Sequence, residues 1–292
     1  MSDDAYIRED NNSSSSISSN SDDDKKIDRR VLRELIRIDK EQRTKIKDES
    51  LIKVKEEVFD TKTLFTLYSL MNAGYLSHLN GVVASGKESR VYWGIALDGS
   101  SIAVKIYLVA TAEFKHRLQY IIGDPRFKKV KKGIRNIVIL WARKEFKNLS
   151  RAYNASVRVP RPIHVTGNIL LMEFIGENGV PAPTLNDYHD VSKEHYMQVM
   201  DSIKRLYVDA ELVHADLSEY NIFLYNNRIV IFDFGSAVDI RHPNAELFLQ
   251  RDIANVNRFF SKRGIDVYDD INYITNEIKK SKGKINNNRE LG

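Results

Sequence analysis

Two short segments hold the polar residues of greatest chemical interest in this chain, HADLSEYN at residues 214–221 and IFDFG at residues 231–235. The first has the form H-x-D-x4-N, and the second places Asp233 directly after an apolar run. Asn221 follows Asp216 by five positions, and Asp233 follows it by seventeen. Either segment alone is weak, because an aspartate that ends a strand is commonly a turn or helix-cap residue. Their occurrence in this order favours a chemical role.

The residues between the two segments predict a β-hairpin. Ile222–Tyr225 and Arg228–Phe232 have the composition of short strands, and Asn226-Asn227 suits a two-residue turn. A hairpin at this place returns the chain to its starting edge. The sequence therefore predicts that the three polar side chains of the two segments lie together.

Phosphoryl transfer is the chemistry that requires this set of side chains. Its transition state spreads negative charge over phosphate oxygens, so the protein mainly positions groups and supplies metal. Asp216 would orient the nucleophile and accept its proton. Asn221 and Asp233 offer hard oxygen ligands for a Mg²⁺ ion that also holds the phosphates of ATP.

Two elements upstream fit a nucleotide site. Lys105 ends a β-rich apolar run and is predicted to bind the α- and β-phosphates, with Glu145 on a predicted helix as its partner. The strand at residues 169–174 falls where adenine would bind, through backbone groups of Glu173 and Ile175. In isolation these residues would be a strand lysine, a surface acid and a buried strand, and only their order favours the functional interpretation.

The segment GVVASGK at residues 81–87 resembles a Walker P-loop, G-x4-G-K, but fails on two counts. Glu88 stands where Mg²⁺ requires a serine or threonine. The chain then continues into a predicted strand, Val91-Tyr92-Trp93, where a Walker loop opens a helix. A loop between two strands is the better interpretation.

Whole-chain composition narrows the class of protein. The absence of cysteine excludes disulfides, thiolate metal sites and cysteine catalysis. No apolar run is long enough to span a bilayer. Together these two features suggest a cytoplasmic protein. Residues 1–24 carry a net charge of −6, so the remainder of this +5 chain carries +11. Residues 113–136 hold eight lysines and arginines against two acids. A basic body favours a polyanionic partner such as RNA, although a generally basic enzyme is an equal alternative.

The order of predicted elements indicates an α+β, two-lobed fold. Strands dominate up to about residue 107, a hinge-like strand follows the helix at 137–153, and the second half is helical apart from the hairpin. Residues 1–27 are acidic and serine-rich and are predicted to be disordered. Residues 28–59 are predicted to form a charged helical arm.

At this point the sequence resembles the RIO atypical kinases, closest to the first RIO branch shared by archaea and eukaryotes. The resemblance rests on several motifs in combination: SGKESRVY at 85–92, Phe114-Lys115 through GDPRF at 123–127, WARKE at 141–145, VPAP at 180–183 and HADLSEYN at 214–221. Two positions depart from the pattern. Ala84 stands where the family often has serine, and Ser236 stands where this branch usually has glutamine.

The resemblance implies a two-lobed, protein-kinase-like domain over residues 60–276, with an N-lobe at about 60–172 and a C-lobe at about 176–276. Residues 277–292 would form a polar tail. Only 57 residues follow Gly235, without an Ala-Pro-Glu motif. A trimmed C-lobe that lacks an activation loop and peptide-binding helices is therefore expected, as in the family.

The resemblance also implies roles for individual residues. Ser85 and Lys87 would contact the nucleotide, Asp216 would be the catalytic acceptor, and Asp233 would bind metal and could take the phosphate as an aspartyl-phosphate. The family autophosphorylates on serine and acts in small ribosomal subunit maturation.

Three functions remain open at this stage. The first is a serine/threonine kinase that acts on another protein, and the second is an ATPase that cycles on and off a precursor of the small ribosomal subunit. The third is a catalytically weak RNA- or ribosome-binding scaffold. The missing peptide-binding region favours the second over the first. The presence of Lys105, Glu145, Asp216, Asn221 and Asp233 argues against the third.

Overall fold

The structure, a computed structural model, describes residues 60–109, 120, 124–126 and 133–290, with side chains up to residue 283. The predicted acidic tail at 1–27 and the charged arm at 28–59 lie outside the described residues. So does most of the basic segment at 113–136.

The described residues form helices and strands in an α+β arrangement. The helices are α1 (Thr61–Asn72), α2 (Ile134–Asn154), α3 (Lys193–Val208), α4 (Ala245–Ser261) and α5 (Ile271–Glu290). The strands are β1 (His78–Ser85), β2 (Ser89–Ile95), β3 (Ser101–Tyr107), β4 (Pro162–Thr166), β5 (Ile169–Glu173), β6 (Gly176–Glu177), β7 (Val180–Pro181), β8 (Leu212–Val213), β9 (Ile222–Tyr225), β10 (Arg228–Ile231) and β11 (Val238–Asp239).

An antiparallel five-stranded sheet in the order β1-β2-β3-β5-β4 forms the first half. Successive side chains of β3 point to opposite faces, as in any strand. Ile102, Val104 and Ile106 pack in one buried cluster with Leu67 and Leu70 of α1. The alternate residues of β3 therefore face α2 on the other side of the sheet.

Because side chains alternate along β3, the Lys105 side chain lies on the face of the sheet that packs against α2. Its neighbours on the same face, Ala103 and Tyr107, belong to the second buried cluster, together with Val138 and Trp141 of α2. A lysine in this position is buried between sheet and helix. It requires a partner of opposite charge, because a desolvated charge is costly when unpaired.

Local side-chain signals fix several element boundaries, including the predicted turn at Asn226-Asn227. Asp60 caps α1 by accepting a hydrogen bond from the Thr63 amide at 2.8 Å. Ser192 caps α3, as its φ and ψ and its hydroxyl contact with the His195 amide indicate. Asn226 and Asn227 have φ values of 51° and 58°, which are the left-handed conformations that a tight hairpin turn requires.

Other boundaries differ from the prediction. Helix α2 begins about one turn before residue 137, the predicted start. Helix α5 runs through residue 276, where the domain was predicted to give way to a polar tail. Its buried residues Thr275 and Ile278 lie on both sides of that predicted boundary, so packing, not composition, decides where the domain ends.

The segment that follows Gly235 is short, as predicted for the loop after Asp233. Only β11 and a short turn separate Gly235 from α4, which begins at Ala245. Between residues 236 and 290 the described chain contains β11, α4 and α5. None of the helices among the described residues is long and apolar enough to cross a membrane.

Packing of β2 against β3 generates a first testable prediction. An added Cβ at Gly94 would lie 2.8 Å from side-chain carbons of both Leu76 and Val104. We expect Gly94→Ala to lower the free energy of unfolding by about 1–3 kcal/mol, because a close-packed core resists an extra methyl group. Gly81→Ala in β1 is the control, since nothing lies within 4 Å of its Cβ position. Urea denaturation of both variants measures the difference, and an equal loss in both would contradict it.

Candidate active site

Lys105 joins three parts of the chain through one ammonium group. Its Nζ lies 2.9 Å from both carboxylate oxygens of Glu145 on α2, and 2.9 Å from Oδ1 of Asp233. The hydroxyl of Tyr107 donates a further hydrogen bond to Glu145 Oε2. The structure therefore brings together Lys105, Glu145 and Asp233, three of the residues that the sequence assigned to one site for phosphoryl transfer.

Burial differs sharply between the two carboxylates. The Glu145 side chain is 2% exposed, whereas that of Asp233 is 48% exposed. Burial raises the pKa of Glu145, although Lys105 opposes that shift. Burial disfavours the charged form of Lys105, but the carboxylates of Asp233 and Glu145 outweigh it and raise its pKa. Lys105 is thus a permanent cation, and Asp233 is the partner that faces solvent.

The HADLSEYN segment forms a loop that presents Asp216 to solvent. Ala215 has a φ of 66°, so the backbone turns sharply just before the aspartate. His214 is buried, and its Nε2 lies 3.0 Å from the Phe232 carbonyl. Burial lowers the pKa of His214, so the ring is neutral and serves as a structural link between the two segments.

Asn221 is oriented by the same loop. Its Nδ2 donates to the Asp216 carbonyl at 2.6 Å. The side-chain oxygen then remains as the acceptor of this amide, because the nitrogen is a donor only. Phe232, next to Asp233, donates its amide to the Asn221 carbonyl at 3.0 Å, so the two predicted metal ligands are held by adjoining backbone.

The donor set suits a hard cation that completes its shell with water and phosphate. Among the described residues no group of three or more histidine, aspartate or glutamate side chains could enclose a metal ion. An amide oxygen and one half-exposed carboxylate are few ligands, and Mg²⁺ is commonly bound by one or two carboxylates plus phosphates. Asn221 and Asp233 therefore fit Mg²⁺ better than a metal that requires a closed protein cage.

Glu173 and Ile175, the two residues predicted to bind adenine, each have one backbone group in a hydrogen bond within the protein. The Glu173 amide donates to the Arg161 carbonyl, and the Ile175 carbonyl accepts from the Ala182 amide at 2.9 Å. The Glu173 carboxylate is held by both guanidinium nitrogens of Arg158 at 3.1 Å. Both carboxylate oxygens of Glu173 are thus already paired with Arg158.

Ser85 ends β1 and Lys87 lies on the turn between β1 and β2, and both are exposed. The turn is closed by the Gly86 amide, which donates to the Ser89 carbonyl at 3.0 Å, and by Arg90, which donates to the Gly86 carbonyl. Because β2 follows directly, this is a strand–turn–strand loop and not a Walker loop.

Asp252 on α4 is a site residue that the sequence did not indicate. Its carboxylate accepts hydrogen bonds from the amides of Ala215 at 2.8 Å and Leu217 at 3.0 Å, on either side of Asp216. Burial raises the pKa of Asp252 to about 7, against the opposing effect of these two amides. An aspartate on a helix has no recognisable motif, so only the fold could identify it.

Lys144 and Asn148 were also missed. Both are completely buried on α2 and donate to backbone carbonyls between Phe234 and Ala237. Phe234 is buried as well, and an added Cβ on Gly235 would lie 2.8 Å from Trp141 Nε1. The segment after Asp233 is therefore packed tightly against α2.

The anchoring of the HADLSEYN loop by Asp252 is testable. An asparagine in this position has one acceptor oxygen and would turn its NH₂ group toward a backbone N–H. If the loop carries the phosphoryl transfer that the sequence predicts, we expect Asp252→Asn to lower kcat about tenfold through the lost hydrogen bond, with little change in KM. Asp269→Asn, which changes an exposed aspartate, is the matched control. Steady-state phosphate release measures both, and a wild-type kcat for Asp252→Asn would contradict the anchoring role.

Comparison with known proteins identifies the family. The sequence model of the RIO domain matches residues 90–273, which is more than half of the chain. A "RIO-type serine/threonine-protein kinase Rio1" of Haloferax volcanii is 38% identical over 244 residues, covering 84% of each chain. The protein of that name from Methanocaldococcus jannaschii is 42% identical over 228 residues, covering 77% of this chain and 78% of its own. The human serine/threonine-protein kinase RIO1 is 37% identical, and the match covers 76% of this chain and 40% of the human protein.

Solved structures agree on the fold. The Rio2 kinase–ADP/Mg²⁺–phosphoaspartate complex from Chaetomium thermophilum matches with a TM-score of 0.58 at 21% identity. The match covers 75% of this chain and 65% of that one, so the likeness spans slightly less than two thirds of the Rio2 chain. Taken with the sequence matches, these findings show that the chain belongs to the RIO family of serine/threonine-protein kinases.

Proposed function

We propose that this chain is a Mg²⁺- and ATP-dependent phosphotransferase whose main activity is ATP hydrolysis. The observation that supports this most is the position of Lys105, which contacts both a buried glutamate and the half-exposed Asp233. Asp216 and Asn221 lie on a loop bonded to the backbone beside Asp233. A scaffold without catalysis has no use for such an arrangement of buried and exposed charge.

Each polar residue has a separate role in the proposal. Lys105 binds the α- and β-phosphates, while Glu145 and Tyr107 hold its ammonium group in place. Asn221 and Asp233 would bind Mg²⁺, which neutralises charge that develops on the phosphates. The exposed Asp216 orients the water that attacks in the hydrolytic step and takes its proton.

The remaining predicted contacts belong to the nucleotide. The Glu173 carbonyl and the Ile175 amide would hydrogen-bond adenine, since the opposite backbone groups of both residues already have partners. Ser85 and Lys87 would contact the phosphates from the turn between β1 and β2. That turn is exposed and follows a strand, as a loop that covers a nucleotide requires.

We further propose that Asp233 is itself phosphorylated during turnover. A carboxylate oxygen of Asp233 attacks the γ-phosphorus, the bond to the β-phosphate oxygen breaks and ADP leaves. Water then attacks the acyl phosphate, which releases inorganic phosphate and restores the carboxylate. The exposure of this carboxylate supports the step. The Rio2 structure that is similar in fold is titled as a phosphoaspartate complex.

The partner we propose is a precursor of the small ribosomal subunit, which the chain would bind in the cytoplasm. The net charge of +11 outside residues 1–24 favours a polyanionic surface such as ribosomal RNA. The short connection between Gly235 and α4 leaves little room to bind a peptide substrate, which favours an ATPase switch over a kinase that acts on other proteins. The second candidate function is phosphorylation of serine on another protein, because the relatives are named as serine/threonine-protein kinases.

Labelled ATP tests the proposed activity. The purified chain, with Mg²⁺ and γ-³²P-ATP, should release phosphate and carry an acid-stable, hydroxylamine-labile label. We expect Asp216→Asn to reduce phosphate release by about 100-fold or more, because the group that orients the nucleophile is lost. Asp233→Asn should abolish the label, because the amide cannot take the phosphate. Asp201→Asn, an exposed aspartate on α3, is the control.

The possible outcomes separate the candidates. Label that passes stably to serine on another protein would identify a kinase instead of an ATPase switch. Turnover that is unchanged in Asp216→Asn would contradict its role. The absence of turnover by the wild-type chain, alone and with small-subunit particles, would leave only the scaffold.

A further inference from the structure

Three backbone carbonyls just after Asp233 are bound by one face of α2. Lys144 Nζ donates to the carbonyls of Gly235 at 2.8 Å and Ala237 at 2.5 Å. Asn148 Nδ2 donates to those of Phe234 at 2.9 Å and Ala237 at 2.8 Å. Lys144 and Asn148 are fully buried, so water cannot replace them as donors.

These bonds act next to a strained residue. Asp233 has a φ of 64°, a left-handed conformation that a residue with a Cβ adopts only when its surroundings hold it there. Phe234 is also buried, and Trp141 of α2 packs so closely that an added Cβ on Gly235 would lie 2.8 Å from its Nε1, which further restricts these residues. The direction of the Asp233 carboxylate therefore depends on how firmly residues 234–237 are held.

The orientation of Asn148 depends in turn on Arg126. Nη1 of Arg126 donates to Asn148 Oδ1 at 2.7 Å. An amide oxygen only accepts and an amide nitrogen only donates, so this bond leaves Nδ2 facing the two carbonyls. Without Arg126 the buried oxygen would lack this donor, and the reversed amide would place its oxygen against two carbonyl oxygens.

Arg126 is itself held rigidly by Asp124. The guanidinium donates to the buried Asp124 carboxylate through Nε at 2.9 Å and Nη2 at 2.6 Å, which is a bidentate pair. The Arg126 side chain is only 15% exposed. Its sequence surroundings predicted a segment that binds polyanions, but this arginine points into the protein.

We propose that Arg126 is a positioning residue for the metal site. Held by Asp124, it fixes the Asn148 amide, which with Lys144 fixes residues 234–237 and so aims the Asp233 carboxylate at the cation. The proposal rests on the proposed function, since it concerns how Asp233 binds Mg²⁺ during phosphoryl transfer. It also gives α2 two connections to the site, through Glu145 to Lys105 and through Asn148 to the segment after Asp233.

The Mg²⁺ dependence of ATP hydrolysis tests this proposal. We expect Arg126→Gln to raise the half-saturating Mg²⁺ concentration about tenfold, as the loss of one charge-assisted hydrogen bond predicts. High Mg²⁺ should restore most of kcat. Binding of a fluorescent ADP analogue in EDTA should stay unchanged, because it does not require the metal. Arg126→Lys keeps a donor and should recover part of the loss, whereas Asn148→Ser should reproduce it.

Arg205→Gln is the matched control. Arg205 is a half-exposed arginine on α3 that pairs with Asp201 at 2.7 Å and donates to none of the carbonyls of residues 234–237. Its Mg²⁺ dependence should match that of the wild type. An equal shift in this control, or a loss in Arg126→Gln that high Mg²⁺ does not rescue, would mean that Arg126 only stabilises the fold.

The test separates this proposal from the proposed function. Wild-type turnover with a wild-type Mg²⁺ response in Arg126→Gln would overturn the positioning role alone. A wild-type chain that never hydrolyses ATP would overturn the proposed function first. Circular dichroism would show whether Arg126→Gln folds. If it does not, two other variants test the proposal: Arg126→Lys should raise the half-saturating Mg²⁺ concentration by less than tenfold, and Asn148→Ser should raise it about tenfold.

Discussion

The buried ammonium group of Lys105 is the constraint on which the rest of the site depends. A charge taken out of water is costly unless it is paired and hydrogen-bonded. Here the charge is paired twice, with Glu145 inside and with Asp233 at the surface. The sheet, α2 and the segment after β10 are thereby drawn to one point, although 128 positions of sequence separate Lys105 from Asp233.

Helix α2 is the element that satisfies this constraint on both sides. Glu145 faces the sheet, while Lys144 and Asn148 face the backbone after Asp233. Removing one partner from such a network would leave a buried polar group unpaired, which costs more than the bond itself contributes. These contacts of α2 therefore stabilise the arrangement in which Lys105 contacts Asp233. Asp252 serves the same purpose beneath the catalytic loop, where it accepts from two backbone amides.

Much of the fold could be predicted because its signals are local. Strand alternation explains the burial of Lys105, and the two asparagines at 226–227 predicted a hairpin. Lys105 also contacts Glu145 and Asp233, so residues that were linked through the order of their motifs are neighbours in space. The end of the domain could not be predicted, because α5 is polar in composition and is held by a few buried residues such as Ile278.

The supporting residues were missed for a different reason. Lys144, Asn148 and Asp252 look like ordinary surface residues in the sequence, and only tertiary packing turns them inward. Arg126 was assigned to a basic segment that favours a polyanionic partner, because the sequence does not show that Asp124 is its partner. Polar residues that bind backbone have no spacing rule, since the carbonyls they meet come from elsewhere in the chain.

Replacing Lys105 tests the central claim most directly. Lys105→Met keeps much of the side-chain volume and removes the charge that joins Glu145 to Asp233. Mg²⁺-dependent ATP hydrolysis by this variant and by the wild type, with circular dichroism to confirm folding, is the measurement. We predict that turnover falls by about 100-fold or more while the fold is kept. Equal turnover in the two proteins would contradict a catalytic site built around this lysine.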